Sequence, residues 1–205
     1  MSSAKTVKQL RDISGAGMMD CKKALEECSY DIDKAMDILR KNGIAKAQKK
    51  AGRDAKDGII IPYIHPGSKL GVLVEINCET DFVARTDGFQ DFSRDIAMHI
   101  AATAPISIKR EDVSEEIISK EKEIYKEQAL QSGKPENIVE KMVEGRLNKF
   151  YQESVLLEQS FVKDPDKLIQ DLLNDTISTL GENIEIKRFS RFQLGELFQP
   201  EENSE

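Results

Sequence analysis

Two β-rich runs, Gly58 to His65 and Lys69 to Asn77, are separated only by Pro66-Gly67-Ser68. Proline presets the backbone for a turn and glycine tolerates a left-handed conformation, so a gap this short makes the runs fold back and pair antiparallel. Glu185 to Phe192 reads as a third strand. Asp87 to Ala104 sets Phe89, Phe92, Ile96, Ile100 and Thr103 on one helical face that stops at Pro105. That face is expected to cover the hairpin. The chain should therefore be α+β, with a three-stranded antiparallel sheet packed by helices.

Ahead of the hairpin the apolar period is helical. Thr6 with Gln9 makes a capping-box start for a short helix through Val7, Leu10 and Ile13, ending at Ser14-Gly15-Ala16-Gly17. Met18 to Cys28 and Asp31 to Lys41 give a second and a third, the latter stopped at Gly43. Three short helices in under fifty residues hold little core, so they should lean on the rest of the chain or on a partner. From Ile44 to Lys56, Ala47, Ala51 and Ala55 run opposite Lys46, Lys49, Lys50 and Arg53. This basic linker helix is open to two readings, a solvated charged face and an anion site.

Beyond the hairpin, Ser114 to Gln131 has a thin apolar face interrupted by Lys120-Glu121-Lys122-Glu123. Lys134 to Phe150, with Pro135 in its first turn, has a broader one. Together they read as a projecting helical pair. Asp164-Pro165 is expected to start a last helix through Leu168, Leu172, Leu173, Ile177 and Leu180 to Gly181, and Gln199 to Glu205 to form a disordered acidic tail. The expected division is thus 1–56, a helical module with its linker; 57–196, the sheet-containing body; and 197–205, the tail. Within the body, strands are expected near 58–65, 69–77 and 184–192, and helices near 88–104, 114–132, 135–150 and 165–180.

The formal net charge is -7 but is unevenly shared. Residues 1–56 hold 13 Lys+Arg against 8 Asp+Glu, and the remainder 17 against 29. The balance argues against general nucleic-acid affinity and fits a basic module on an acidic body. No apolar run approaches the roughly 18–20 residues of a membrane span, and Met1 to Gln9 does not read as a secretory signal. Three cysteines, Cys21, Cys28 and Cys78, fit thiols in a reducing compartment. The expected location is cytoplasmic, or else the stroma or matrix of an organelle that encodes the protein.

Enzymatic readings fare poorly. The only histidines, His65 and His99, sit in no spacing that suits a metal site or a triad. His65 reads as a surface residue before a turn, and His99, beside Ile96 and Ile100, as a packing residue. Ser14-Gly15-Ala16-Gly17 follows a helix and lacks the Lys-Ser/Thr ending of a phosphate loop. No catalytic residue, metal or cofactor is therefore expected. A thiol enzyme using Cys78 would need a nearby base that the sequence does not supply. A module binding RNA or another protein through residues 1–56 would bind nucleic acid through Lys46, Lys49, Lys50 and Arg53, and no aromatics interleave with those charges to stack bases.

Two displayed features remain. Met18 and Met19 are adjacent at a helix start, and neighbours about 100° apart cannot both face one interior. Asn77-Cys78-Glu79-Thr80-Asp81-Phe82-Val83-Ala84-Arg85 ends an apolar strand in an acidic turn carrying Phe82. That ring either folds back to cap the core or stands out as a contact.

Gly15-Ala16-Gly17-Met18-Met19-Asp20-Cys21-Lys22-Lys23-Ala24-Leu25 and Asn77 to Ala84 closely resemble elongation factor Ts. The match continues through Leu10-Arg11, Ile96 to Ala102, Ser132-Gly133-Lys134-Pro135, Lys141 to Arg146 and Arg191 to Glu196. The resemblance implies an exchange factor, with no bond change of its own, that binds elongation factor Tu in its GDP-bound and nucleotide-free forms and speeds GDP release. It implies that the first helices form a module similar to a ubiquitin-associated domain, with Arg11, Met18 and Met19 as contacts to the GTPase. It gives Asp81 and Phe82 the role of a wedge near the magnesium and phosphate sites, Thr80 and Val83 the shaping of the turn, and His99 a contact. No direct nucleic-acid or membrane contact is implied. Room for one core where long forms have two makes this a short form, which suggests a homodimer.

Overall fold

The computed structural model describes residues 3–131 and 135–196. The Ser132-Gly133-Lys134 stretch and the expected acidic tail from 197 onward lie outside the described residues. The protein is α+β. Strands β1 (Asp57–Ile64), β2 (Leu70–Cys78) and β5 (Ile184–Gln193) form an antiparallel sheet in the order β1-β2-β5. The turn between β1 and β2 closes through Ser68 N–H donating to the His65 carbonyl at 2.9 Å, with Gly67 at φ +94°.

Alternation along β2 decides how the sheet packs. Val72, Val74, Ile76 and Cys78 are buried on one face, against Phe89, Phe92, Ile96 and Ile100 of α5 (Asp87–Thr103) and Ile169, Leu173 and Ile177 of α8 (Ile169–Leu180). Among the described residues the opposite face has no such cover. Ile60, Ile64, Leu73 and Phe192 all project from it, each more exposed than buried or nearly so.

Helices α1 (Ser3–Ser14), α2 (Met18–Glu27) and α3 (Ile32–Lys50) enclose a second, small core of Val7, Leu10, Cys21, Ala24, Leu25 and Ala35. Two sequence expectations fail here. Helix α1 is already formed at Ser3, so Thr6 is a buried helical residue and not a cap. Gly43 does not stop α3, which runs on to Lys50 and absorbs much of the expected linker helix. Gly43 faces Asp175 and Ser178 of α8, where a Cβ would make ordinary van der Waals contact with both side chains at 3.8–3.9 Å. The glycine sits within a helix that packs on α8; it does not end one.

The basic stripe that runs along α3 and just past it is partly engaged, with Lys49 left exposed. Lys46 Nζ donates to Asp20 Oδ2 at 2.7 Å, Lys50 Nζ to the Ile177 carbonyl at 3.4 Å, and Arg53 Nη1 lies 3.6 Å from Glu79. The Lys46–Asp20 pair ties α3 to α2 within the helical module, whereas the Lys50 and Arg53 contacts, with the Arg40–Asp171 pair at 2.6 Å, strap that module to the body.

Helices α6 (Glu115–Gln131) and α7 (Glu136–Ser154) pack antiparallel, with Arg146 over the Tyr125 ring and Tyr151 beside Val113 at the base. The last helix needs correction as well. It starts at Ile169, not at 165, because Asp164–Leu168 is a strand, β4, paired with β3 (Ser160–Phe161). Pro165 is tolerated there because a two-stranded ribbon leaves each strand an edge. Among the described residues no helix is long and apolar enough to cross a membrane.

Candidate functional site

At the end of β2 the chain turns through two threonine caps in series. Thr80 is extended (φ -136°, ψ 156°) and its Oγ1 accepts from Val83 N–H at 3.4 Å, which starts the single-turn helix α4 (Asp81–Ala84). Thr86 repeats the device six residues on. Its Oγ1 accepts from Phe89 N–H at 3.3 Å to start α5 and donates to the Val83 carbonyl at 2.8 Å. Gln90 Nε2 donates to the Ala84 carbonyl at 2.8 Å, so the far end of α4 is tied down too. This short helix escaped the sequence reading because four residues carry no periodicity to detect.

Within α4 the burial divides sharply. Ala84 is buried against the core and Val83 half-buried, whereas Phe82 is 79% exposed. Of the two readings of Phe82, the structure takes the displayed one. Asp81 faces solvent beside it and pairs with Arg85 at 2.8 Å. A pair so exposed contributes at most about 1 kcal/mol, which leaves the carboxylate available to a better partner.

The remaining candidates fall elsewhere. Arg11 is exposed on α1, and Met18 and Met19, at the start of α2, are 45% and 62% exposed. Both methionines are thus displayed, beyond the single one that helical geometry demands. They belong to the helical module, not to the Phe82 turn; the segment between α3 and β1 links the two, through Arg53 to Glu79 and through Asn77 Nδ2 donating to the Ala55 carbonyl at 3.2 Å.

His99 offers no surface to a partner, and the expectation that it makes a contact is corrected. It is fully buried, its Nε2 is 2.9 Å from Gln159 Oε1, and its Nδ1 accepts from Val162 N–H at 3.3 Å. Both ring nitrogens are used only in the neutral ring with its proton on Nε2. Burial lowers its pKa from the usual 6.5, despite the Gln159 bond that acts the other way. The folded state therefore binds this proton less readily than the unfolded chain, so stability is full above about pH 6.5 and falls as pH drops toward the lowered value. In His99→Leu the unfolding midpoint at pH 7.5 is expected to fall, by about 1–3 kcal/mol of stability, for the lost bonds. Its further decline between pH 7.5 and 5 should be smaller than in the wild type.

Cys78, at the foot of the turn, is buried and donates to the Thr80 carbonyl at 3.1 Å. Burial first, and the Glu182 carboxylate next, push its pKa up to about 11. Reactive thiols are shifted the opposite way, so Cys78 is structural. Among the described residues no cluster of three or more His, Cys, Asp or Glu side chains is placed to hold a metal ion.

One residue at this site was missed by sequence reasoning. Glu182 accepts from Glu79 N–H, Thr80 N–H and the Thr80 hydroxyl. An acidic residue just past a helix-stop glycine was the only trace of it, since the partners lie about a hundred residues away.

Fold and site together define a class: an α+β protein that presents a firmly mounted aromatic turn on its surface. Its family follows from comparison. The family model for elongation factor TS matches residues 2–196. The chain is 58% identical over 201 residues to elongation factor Ts of Geobacter sulfurreducens, covering 98% of this chain and 93% of that one. It is 58% identical over 196 residues to that of Thermosipho melanesiensis, covering 96% and 100%, and 60% over 196 residues to that of Carboxydothermus hydrogenoformans, covering 96% and 90%. The chain belongs to the elongation factor Ts family, the nucleotide exchange factors of translation elongation.

Proposed function

We propose that the protein binds elongation factor Tu in its GDP form and drives the Asp81–Phe82 turn between helices of the GTPase, near its magnesium and phosphate sites. The observation that carries this reading is Phe82, 79% exposed on a turn whose two ends are capped by Thr80 and Thr86. A wedge that fits the distorted nucleotide site better than the intact one lowers the affinity for GDP by that difference, and GDP lowers the affinity for the wedge equally. Only a stiff mount can deliver such a push. Arg11, Met18 and Met19 supply a second contact, from a helical module akin to a ubiquitin-associated domain. The nucleotide-free complex then takes up whichever guanine nucleotide is in excess, and the exchange factor leaves unchanged.

The test is release of a fluorescent GDP from elongation factor Tu, followed by stopped flow with the protein substoichiometric. Acceleration with many turnovers is expected. No acceleration with a cognate partner would remove the reading.

The uncovered sheet face supports a homodimer of this single-core chain. Ile60, Ile64, Leu73 and Phe192 form an apolar surface that a second copy could bury. Sedimentation equilibrium should return twice the chain mass at micromolar concentration, and Leu73→Glu should return the monomer. A wild-type monomer throughout overturns the dimer without touching the exchange reading.

A further inference from the structure

The turn that displays Phe82 is held from outside its own segment. Gly181, at φ +83°, ends α8, and Glu182 is the first residue beyond it. Its Oε2 accepts from Glu79 N–H and Thr80 N–H, each at 3.0 Å, while Oε1 accepts from the Thr80 hydroxyl at 2.7 Å. Glu79 answers in kind: its Oε1 accepts from Asn183 N–H at 2.6 Å. Two segments over a hundred residues apart thus grip each other by reciprocal bonds from carboxylate to backbone. The grip extends to the helical module, because Asn183 Nδ2 donates to the Arg53 carbonyl at 2.8 Å.

Resting on the proposed exchange function, we infer that Glu182 is the positioning residue for the Phe82 wedge. A hydroxyl has one proton and two lone pairs. Because the Thr80 proton goes to Glu182, a lone pair is left facing Val83 N–H, and that bond starts α4. Glu182 therefore fixes both the extended backbone at Thr80 and the rotamer that caps the helix, and with them the direction in which Phe82 stands. Bonds to an ionised carboxylate are roughly twice as strong as neutral ones, so three on one group make an effective clamp. Without it the turn spreads over other conformations. The apparent affinity of the wedge then falls by the fraction of molecules still competent.

The experiment is a double-mutant cycle on GDP release from elongation factor Tu, with Glu182→Ala, Phe82→Ala and the double variant. Glu182→Ala is expected to slow stimulated release about tenfold, the scale of losing charge-assisted bonds, and to add nothing once Phe82 is alanine. Glu182→Gln keeps one acceptor oxygen and should fall between wild type and Glu182→Ala. If the alanine variant does not fold, the glutamine variant runs the same cycle. Backbone amide exchange should show Glu79 and Thr80 losing protection while Val74 and Ile76 in mid-β2 keep theirs. Phe82→Ala impaired with Glu182→Ala at wild-type rate overturns the inference and leaves the exchange function standing. Equal losses from Glu182→Ala with and without Phe82 also overturn it, since they describe general stabilisation. Phe82→Ala at wild-type rate removes the wedge, and this inference with it.

Discussion

Phe82→Ala should lower stimulated GDP release by about thirtyfold or more, the scale of truncating an interface hot spot, while leaving the unfolding midpoint almost unchanged. The two halves of that result come from one number. A side chain 79% exposed contributes little to the core, so its loss should shift stability by no more than about 0.5 kcal/mol. All its binding energy is available to a partner instead. The kinetic pattern separates wedge from anchor. A contact made only in the distorted state lowers the release rate at saturating exchange factor, whereas uniform docking changes only the concentration needed. Phe82→Ala should show the first pattern and Met19→Ala the second. Stopped-flow release titrated with each variant would distinguish them, and an unchanged saturating rate in Phe82→Ala would contradict the wedge.

Gly58→Ala is the substitution expected to damage the fold most. Gly58 sits at φ +141°, a conformation that L side chains rarely adopt, and faces Asn77 across the β1–β2 ladder. A Cβ there would lie 2.2 Å from the Ile76 carbonyl oxygen and 2.7 Å from the Asn77 Cα. Both are backbone atoms of the central strand, and neither can turn aside as a side chain would. Strain and clash together should cost about 3–5 kcal/mol, a large part of a small protein's stability. Urea unfolding would measure it as a lower midpoint at constant slope. Gly67→Ala is the control: at φ +94° in the hairpin turn, with no atom within 4 Å of the added Cβ, it should cost only about 1 kcal/mol. Equal midpoints for the two variants would show that the close approach at Gly58 relaxes.

Periodicity and turn chemistry carried the large elements because each depends on near neighbours. The hairpin rests on Pro66-Gly67-Ser68, and the covering face of α5 on the spacing of Phe89, Phe92, Ile96 and Ile100. The same local logic failed wherever a distant segment intervened. Gly43 looks like a helix stop until α8 is packed against it, and Asp164-Pro165 like a helix start until Ser160-Phe161 pairs with it. At the candidate site, the motif around Phe82 was visible, but its alternatives were not resolved by sequence. Display of the ring depends on α4, whose caps each draw on partners beyond the helix.

From sequence alone came the α+β class, the family resemblance and the candidate turn, because apolar period, turn residues and motif identity are all written within a few residues. Three matters needed the packed chain. His99 is a buried, neutral hub and not a contact, because Gln159 and Val162 come to it from sixty residues away. Part of the basic stripe is a strap to the body, because Ile177 comes to Lys50 and Glu79 to Arg53. Phe82 stands outward because Glu182, a hundred residues downstream, holds Thr80 in place. Hydrogen bonds and charges act over a few ångströms of space, and only folding brings residues so far apart in sequence within that range.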